Sequence, residues 1–351
     1  MPAKKRSAKH KKAKKAKRTQ KRPSSRSRAP ATRPYRVLAL DGGGIRGLMT
    51  AVWLEALEKR LQRELGQSLT ESFDLVAGTS TGSILACAIS SGLSASEIRQ
   101  MYVKEAAAIF PGRLSRIWSR LGRFFDEGLS APKYDGLGLE AALRRLFGDL
   151  RFGELQIKPT LVTSYNTLTR CATVFKNTRE RFADLCVWEL TKASSAAPTY
   201  FAAQLLSVDG VEAPYIDGGL AANNPAACAI AEAIRDSGRP LSEIVVASFG
   251  TGESTRSISI KEAQEWGALE WAIPVIDVLM DGAADTTEYI VKQLLAPEHY
   301  FRFQTPLDDA YDDMDNADNT NLGALQNLAL AYLRKREVKR GIERLTELLR
   351  S

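Results

Sequence analysis

The chain has 351 residues, of which 44% are hydrophobic, so it can build a sizeable core in one large α/β domain or two small ones. Its formal net charge of +8 is unevenly spread: residues 1–30 hold fourteen Lys and Arg and no acid, and the rest carries 35 basic against 41 acidic residues. The sequence has no run of 18 apolar residues and no signal-like apolar segment, which excludes a membrane-spanning helix and predicts no secretory signal.

The N-terminal segment, residues 1–33, is rich in Lys, Arg, Ser, Ala and Pro and has almost no large apolar residues. Such a segment cannot bury enough surface to offset the entropy of ordering, so we expect a disordered basic tail. Its charge suits anionic lipid or nucleic acid, and a solvated tail without a specific partner is a third interpretation. We expect a cytoplasmic protein in which the four scattered cysteines, which lack zinc-ligand spacing, are reduced thiols.

The predicted secondary structure begins with a buried strand at Tyr35–Leu40, which ends at a glycine cluster. A helix with an apolar stripe follows Gly47, and Gly66 is its stop signal. Residues 73–77 form the second predicted strand, and residues 83–89 begin a helix after a glycine turn. Strand, glycine turn and helix therefore occur twice in succession, which favours a parallel sheet covered by helices.

The rest of the chain alternates between predicted helices and strands without an internal repeat. No linker is evident after residue 34, so we expect one domain over 34–351, with its core motifs in 36–255 and C-terminal helices in 261–351. The expected helices are 94–150 (for the most part), 188–193, 225–236, 261–296 and 322–350, and the expected strands are 160–165, 171–175, 215–216 and 244–249.

The first motif is the glycine loop, residues 41–47, with the sequence Asp-Gly-Gly-Gly-Ile-Arg-Gly. Consecutive glycines let a ligand approach backbone N–H groups, and the following helix adds its positive N-terminal end. The loop could hold a phosphate or the oxyanion formed when an ester carbonyl is attacked. Because Gly42, Gly44 and Gly47 also match the dinucleotide fingerprint, a nucleotide-binding oxidoreductase is one alternative.

The second motif is a nucleophile elbow at Ser80, flanked by Gly78 and Gly82 between a predicted strand and a helix. A serine hydrolase of the common kind needs a histidine, yet the chain has only His10, in the tail, and His299. The turn is therefore either structural, or served by His299, or served by a different base. An Asp-Gly-Gly sequence at Asp217 offers a carboxylate, although it also reads as an ordinary turn.

These three motifs, taken in order, resemble the motif set of the patatin-like phospholipases, and residues 193–201 (Ala-Ser-Ser-Ala-Ala-Pro-Thr-Tyr-Phe) also resemble a segment of that family. The resemblance implies a three-layer α/β/α fold with a mainly parallel central sheet. It also implies ester hydrolysis by a serine–aspartate dyad without a cofactor or metal. The residues that it implicates are the nucleophile Ser80, the base Asp217, the oxyanion N–H groups of Gly42, Gly43 and Gly44, and Arg46 as a support of that loop.

The function expected from the motifs and this resemblance is that of a phospholipase A-type acyl hydrolase, acting on membrane phospholipids. A second hypothesis comes from the resemblance alone. Some bacterial members of the family are anti-phage effectors switched on by a cyclic nucleotide, although no feature of this sequence locates such a site. Basal activity without added ligand would favour the plain hydrolase, and strict dependence on a nucleotide would favour the effector.

A basic amphipathic segment, residues 113–125, suggests peripheral contact with a membrane. Its large apolar residues include Trp118, Phe124 and Phe125, and arginines lie beside them. The alternative is a cover helix that packs on the body of the protein. Residues 308–319 are rich in Asp and Asn but lack the glycine of a calcium-binding loop, so no metal site is predicted. The sequence does not indicate an oligomeric state.

Overall fold

An eight-stranded sheet forms the centre of the computed structural model, which describes residues 33–111, 132–272, 274–308, 310 and 312–350. The strands run in the order β5-β6-β3-β2-β1-β7-β8, and β4 pairs with β3. They are β1 (Tyr35–Leu40), β2 (Leu75–Thr79), β3 (Thr160–Asn166), β4 (Cys171–Lys176), β5 (Gln204–Val208), β6 (Val211–Asp217), β7 (Ile244–Phe249) and β8 (Tyr300–Phe303).

Helices cover both faces of this sheet. They are α1 (Gly47–Leu65), α2 (Leu69–Ser72), α3 (Thr81–Ser90), α4 (Ala95–Ile109), α5 (Leu137–Phe147), α6 (Glu180–Ala183), α7 (Val187–Ser194), α8 (Gly219–Ala222), α9 (Ala226–Ser237), α10 (Ile260–Glu265), α11 (Ala268–Trp271), α12 (Pro274–Leu294), α13 (Asn319–Arg334) and α14 (Arg336–Arg350). Short 3-10 helices occupy Gly44–Arg46, Phe152–Glu154 and Leu241–Glu243.

The central strands are apolar along their whole length because both of their faces are buried. In β1, Leu38 and Leu40 point to the core that holds α1, α3 and α13, whereas Val37 and Ala39 pack with α9 and the end of α12. The sheet is parallel through β3, β2, β1, β7 and β8 and antiparallel at β4, β5 and β6. The prediction of a three-layer α/β/α fold with a mainly parallel sheet is confirmed.

The ends of several helices follow local sequence signals. Helix α1 ends at Gly66, whose φ of 70° is left-handed, and its N–H donates to Gln62 O. Helix α4 begins with a capping box, in which Ser94 Oγ accepts the Glu97 N–H and the Glu97 carboxylate accepts the Ser94 N–H. None of the helices in the described ranges is both long and apolar enough to cross a membrane.

The structure corrects several predicted elements. The second strand is Leu75–Thr79 instead of 73–77, because Gly78 and Thr79 pair with Val162 and Thr163 of β3. Two strands were not predicted: β5 has alternating exposed residues, and β8 is only four residues long and interrupts the expected C-terminal helices. The helix expected over 261–296 is three helices, α10 to α12.

The pairing of β3 with its neighbours determines which strand ends meet at the candidate site. Strand β4 pairs with residues 161–166 of β3 and so occupies one edge. The opposite edge is shared: β2 pairs in parallel up to Thr163, and β6 pairs antiparallel from Ser164 onward. The carboxyl ends of β2 and β6 therefore face each other along one strand edge, which brings the residue after Thr79 close to Asp217.

We predict that Gly82→Ala is strongly destabilising. A Cβ at Gly82 would lie 2.1 Å from Leu40 O, a backbone atom in the middle of the sheet that cannot move aside. We expect a loss of about 3 kcal/mol in the free energy of unfolding, at the upper end of the usual cost of overpacking, measured by chemical denaturation.

Gly323→Ala is the matched control because Gly323 lies in α13 and an added Cβ would meet nothing within 4 Å. This variant should gain roughly 0.5–1 kcal/mol through helix propensity. Equal stability of the two variants would contradict the packing described at the start of α3.

Candidate active site

Ser80 lies in the sharp turn between β2 and α3 and is 6% exposed. Its backbone has φ 53° and ψ −126°, a conformation that is uncommon for a residue other than glycine. The turn directs the side chain away from the strand and leaves it at the N-terminal end of α3, where negative charge is favoured. This geometry is that of a nucleophile elbow, as the spacing of Gly78 and Gly82 predicted.

Ser80 is held by hydrogen bonds at both its backbone and its side chain. Its hydroxyl Oγ donates to Asp217 Oδ2 at 2.7 Å, and its N–H donates to Ser194 Oγ at 2.8 Å. The second carboxylate oxygen, Asp217 Oδ1, accepts the Gly219 N–H at 2.7 Å. The two carboxylate oxygens of Asp217 are thus both used, and the side chain has a fixed orientation towards the serine.

The environment of Asp217 changes its acidity. The side chain is 1% exposed, and burial raises its pKa from the ordinary 3.8 to about 7. The hydrogen bonds from the Gly219 N–H and the Ser80 hydroxyl act in the opposite direction but do not cancel the burial. A carboxylate with this pKa can accept a proton near neutral pH, which an ordinary aspartate does poorly.

The glycine loop lies beside Ser80, since a Cβ added at Gly42 would lie 3.1 Å from Ser80 Cβ. The Gly42 N–H donates to Asn223 O at 3.1 Å, and Gly42 O accepts from Thr251 Oγ1 at 2.8 Å. Among the residues that the structure describes, the N–H groups of Gly43 and Gly44 have no hydrogen-bond partner. The prediction of three oxyanion donors therefore needs a correction, because the Gly42 N–H is already engaged.

The loop is shaped by close contact with a later segment of the chain. Gly44 has φ 57°, and a Cβ there would lie 2.2 Å from Met314 O. The Ile45 N–H donates to this same carbonyl at 2.9 Å, which anchors the end of the loop. Arg46 is 5% exposed, and its Nε donates to Gly43 O at 3.3 Å. Arg46 thus contacts the loop backbone, as its predicted supporting role requires.

A buried ion pair fixes the beginning of the loop. Arg302 Nη2 of β8 lies 2.6 Å from Asp41 Oδ2, and its other nitrogens contact Ser248 Oγ at 2.9 Å and Glu288 Oε2 at 3.2 Å. Burial raises the pKa of Asp41 to about 6, although Arg302 opposes that rise. Sequence reasoning did not single out Arg302, since one arginine in a short unpredicted strand carries no motif.

His299 is remote from this site. It directly precedes β8, and its carbonyl oxygen accepts the Val246 N–H. Strand β8 is parallel to β7, so His299 lies at the amino ends of these strands. Ser80 and the glycine loop lie beyond the carboxyl ends of β2 and β1, at the opposite edge of the sheet.

An apolar pocket opens beside Ser80 and Asp217. Helices α3, α4, α5 and α12 and the segment after α7 contribute to it. Ser195 Oγ, which lines this pocket, is buried and has no hydrogen-bond partner among the described residues. The apolar side chains that line the pocket include Ile84, Ile109, Phe110, Leu139, Phe201, Met280 and Met314.

Two further expectations concern membrane contact and metal binding. The proposed membrane-contact residues Trp118, Phe124 and Phe125 lie outside the described residues, so that contact stays a prediction. Within the described ranges, no group of three or more His, Cys, Asp or Glu side chains could hold a metal ion. Two polar contacts that sequence reasoning missed are Ser194 and Asn223, of which Ser194 lies in the 193–201 segment that was noted without a role.

We predict that Arg302→Leu destabilises the fold, because it leaves the Asp41 carboxylate buried without its cation. At about pH 8 the loss should be about 3–5 kcal/mol, the usual cost of breaking a buried ion pair. Removing the cation raises the pKa of Asp41 further, so protonation at about pH 5 should make the loss smaller. Chemical denaturation at the two pH values measures this difference.

Arg344→Leu on α14 is the control, because Arg344 is exposed and makes no ion pair among the described residues. It should change the free energy of unfolding by less than about 0.5 kcal/mol. The same loss at both pH values in Arg302→Leu would contradict the assignment of the effect to the charge of Asp41.

Comparison with known proteins shows which family this chain belongs to. The sequence profile of the patatin-like phospholipases matches residues 38–230. Patatin-like protein 2 of Arabidopsis thaliana is 30% identical over 316 residues, covering 76% of this chain and 75% of that protein. Patatin-like protein 1 of the same plant is 29% identical over 373 residues, covering 92% and 87%. VipD from Legionella pneumophila aligns with 91% of this chain and 67% of its own, at 13% identity and a TM-score of 0.40. The chain belongs to the patatin-like phospholipase family.

Proposed function

We propose that this protein is a phospholipase A-type acyl hydrolase that cleaves the carboxylic esters of membrane phospholipids. Ser80 is the nucleophile and Asp217 is its general base. The observation that carries the proposal is the buried hydrogen bond of 2.7 Å from Ser80 Oγ to Asp217 Oδ2. A hydroxyl at an elbow, bonded directly to a carboxylate whose pKa is about 7, suits proton transfer during acyl transfer.

The reaction begins when Asp217 takes the hydroxyl proton and Ser80 Oγ attacks the ester carbonyl carbon. The carbonyl oxygen becomes an oxyanion, which the free N–H groups of Gly43 and Gly44 can stabilise. Collapse of this intermediate breaks the bond to the leaving alcohol, which receives the proton from Asp217. Asp217 then takes a proton from a water molecule, whose oxygen attacks the acyl carbon. The bond from that carbon to Ser80 Oγ breaks, Asp217 returns the proton to Ser80, and the fatty acid leaves.

An aspartate is a weaker base than imidazole, and two features of the site compensate for this. Burial raises the pKa of Asp217 towards neutral pH, so the proton transfer is less unfavourable. Ser80 also lies at the N-terminal end of α3 and shares a pocket with Gly44 of the glycine loop, and both features favour negative charge there. The electrostatic part of catalysis therefore carries more of the barrier than in a histidine-based triad.

The apolar pocket beside Ser80 supports a lipid substrate. Its walls are formed mainly by aliphatic and aromatic side chains, among them Ile84, Leu139 and Phe201. Such a wall suits an acyl chain, whose transfer from water gains about 0.8 kcal/mol for each buried methylene group. Peripheral contact with a membrane and contact of the basic tail with anionic lipid or nucleic acid stay predictions.

The dinucleotide alternative has less support than hydrolysis. The match to the patatin-like phospholipase family begins at residue 38 and therefore includes the glycine loop. The second strand ends at the Ser80 elbow, where a dinucleotide site would have an acidic residue. A ligand-switched effector remains compatible with the same dyad, and activity without added nucleotide would separate the two hypotheses.

We predict that Ser80→Ala and Asp217→Asn each lower kcat/KM by at least about a thousandfold, because the two residues act as one unit. His299→Ala should retain most of the activity, since His299 lies at the opposite edge of the sheet. The measurement is fatty-acid release from mixed phospholipid vesicles, with the products identified by mass spectrometry. Products unchanged in Ser80→Ala, or an inactive but folded His299→Ala, would refute the dyad.

We predict that activity depends on a single ionisation near pH 7 with the active form on the alkaline side. Asp217 must be ionised to accept the proton, and burial raises its pKa to about 7. The value of kcat/KM for a monomeric ester should therefore fall about tenfold per pH unit below that pKa and level off above it. A profile that stays flat down to about pH 5 would indicate a base with an ordinary pKa.

A further inference from the structure

A second cavity adjoins the acyl pocket and has the opposite character. Met280 and Met314 line both cavities, so the two cavities are neighbours. The second cavity is polar, and the mechanism proposed above does not use it. Its lining includes Arg46, Trp266, Asp277, Asp281, Asp312 and Asp313.

Three of the carboxylates in this polar cavity make no direct ion pair with a described residue. Asp277 and Asp281 are one turn apart on α12, and Asp313 lies in the segment that follows β8. Among the described residues, none of these three side chains forms a direct hydrogen bond or ion pair, although the charge of Arg46 acts to lower the pKa of Asp277 and Asp281. Asp312 differs, because it accepts the Arg256 N–H at 3.0 Å. With Asp312 and Glu262, the lining holds five carboxylates against two cations, Arg46 and Arg256, so the wall carries an excess of negative charge.

The crowding of these carboxylates also affects their acidity. Burial raises the pKa of Asp277 to about 6, and the neighbouring charges of Asp281, Asp313 and Asp315 add to the rise, whereas Arg46 opposes it. The pKa of Asp281 is raised as well, again chiefly by burial. A cationic ligand in the cavity would relieve this repulsion.

Arg46 supplies positive charge at the junction of the two cavities. Its Nε contacts Gly43 O, but its two Nη groups have no hydrogen-bond partner or ion pair among the described residues. The side chain is nevertheless 5% exposed and lines the polar cavity. A buried guanidinium with free donors is costly unless an anion reaches it. The cavity thus combines a cation with free donors, next to the glycine loop, with an excess of carboxylates.

We propose that this cavity binds the headgroup of a zwitterionic phospholipid, with the phosphate at Arg46 and the ammonium group at Asp277 and Asp281. The inference rests on the proposed function, because it extends the substrate from the ester at Ser80. Arg46 follows Gly43 and Gly44 on the same loop. A phospholipid whose ester carbonyl is held by the Gly43 and Gly44 N–H groups can therefore place its headgroup at Arg46. Trp266 adds an aromatic wall, which suits a quaternary ammonium.

The charge pattern disfavours two other occupants. An anionic headgroup would gain from Arg46 but would face the unpaired carboxylates of Asp277, Asp281 and Asp313. A metal ion needs at least three well-placed ligands, and no such group of His, Cys, Asp or Glu occurs within the described residues. An organic ammonium can be satisfied by a diffuse negative wall without fixed coordination geometry.

The test compares two monomeric short-chain lipids, dihexanoyl phosphatidylcholine and dihexanoyl phosphatidylglycerol, below their micellar concentrations. Monomers are needed because the basic N-terminal segment would attract the full chain to anionic surfaces. We expect kcat/KM to favour the choline lipid by about tenfold or more, as a charge-assisted contact of ordinary strength provides. In the double variant Asp277→Asn/Asp281→Asn this ratio should fall to about one, and Asp285→Asn is the matched control.

Asp285 is exposed on the same helix and does not line the cavity, so its variant should keep the wild-type ratio. Equal rates on both lipids in the wild type, or an unchanged ratio in the double variant, would overturn the headgroup assignment. A headgroup-free ester, p-nitrophenyl hexanoate, tests the proposed function separately through its dependence on Ser80. If neither lipid is cleaved, titration calorimetry measures the affinity of each lipid for Ser80→Ala. The ratio of the two affinities then tests the preference in place of the ratio of kcat/KM values.

Discussion

The shared edge of β3 is the constraint on which the candidate site depends. Because β4 occupies one edge, β2 and β6 meet end to end on the other, at the neighbouring residues Thr163 and Ser164. An antiparallel strand inserted into a parallel sheet thereby brings a carboxylate to the end of β2. The elbow then needs no side chain from a distant loop, because Ser80 and Asp217 lie at the ends of two strands that both pair with β3.

Two buried aspartates show how the surroundings set the chemistry of a carboxyl group. Asp41 is paired with Arg302, which keeps the start of the glycine loop in place and limits the rise of the Asp41 pKa to about 6. Among the described residues, the hydrogen-bond donors to the Asp217 carboxylate are both neutral, the Ser80 hydroxyl and the Gly219 N–H, and its pKa rises to about 7. The first carboxylate is suited to a structural ion pair, and the second is suited to moving a proton.

Local sequence signals were enough to predict β1 and β7, whose apolar runs have the predicted bounds. The motifs at the glycine loop and at Ser80 were enough to indicate the family. Contacts between residues that only the tertiary fold brings together could not be predicted from the sequence. Arg302 is an isolated charge in a four-residue strand, so no motif marks it. The hydrogen bond from the Gly42 N–H to Asn223 O joins residues that are far apart in the chain. Strand β5 was missed because its side chains alternate at a partly exposed edge.

The central claim is that Asp217 alone activates Ser80, and covalent labelling by a fluorophosphonate tests it most directly. The rate of labelling reports the nucleophilicity of Ser80 without lipid binding, and mass spectrometry identifies the modified residue. We expect an adduct on Ser80, a rate that rises with pH through an ionisation near 7, and near loss of labelling in Asp217→Asn but not in His299→Ala. Undiminished labelling of Ser80 in Asp217→Asn would contradict the account.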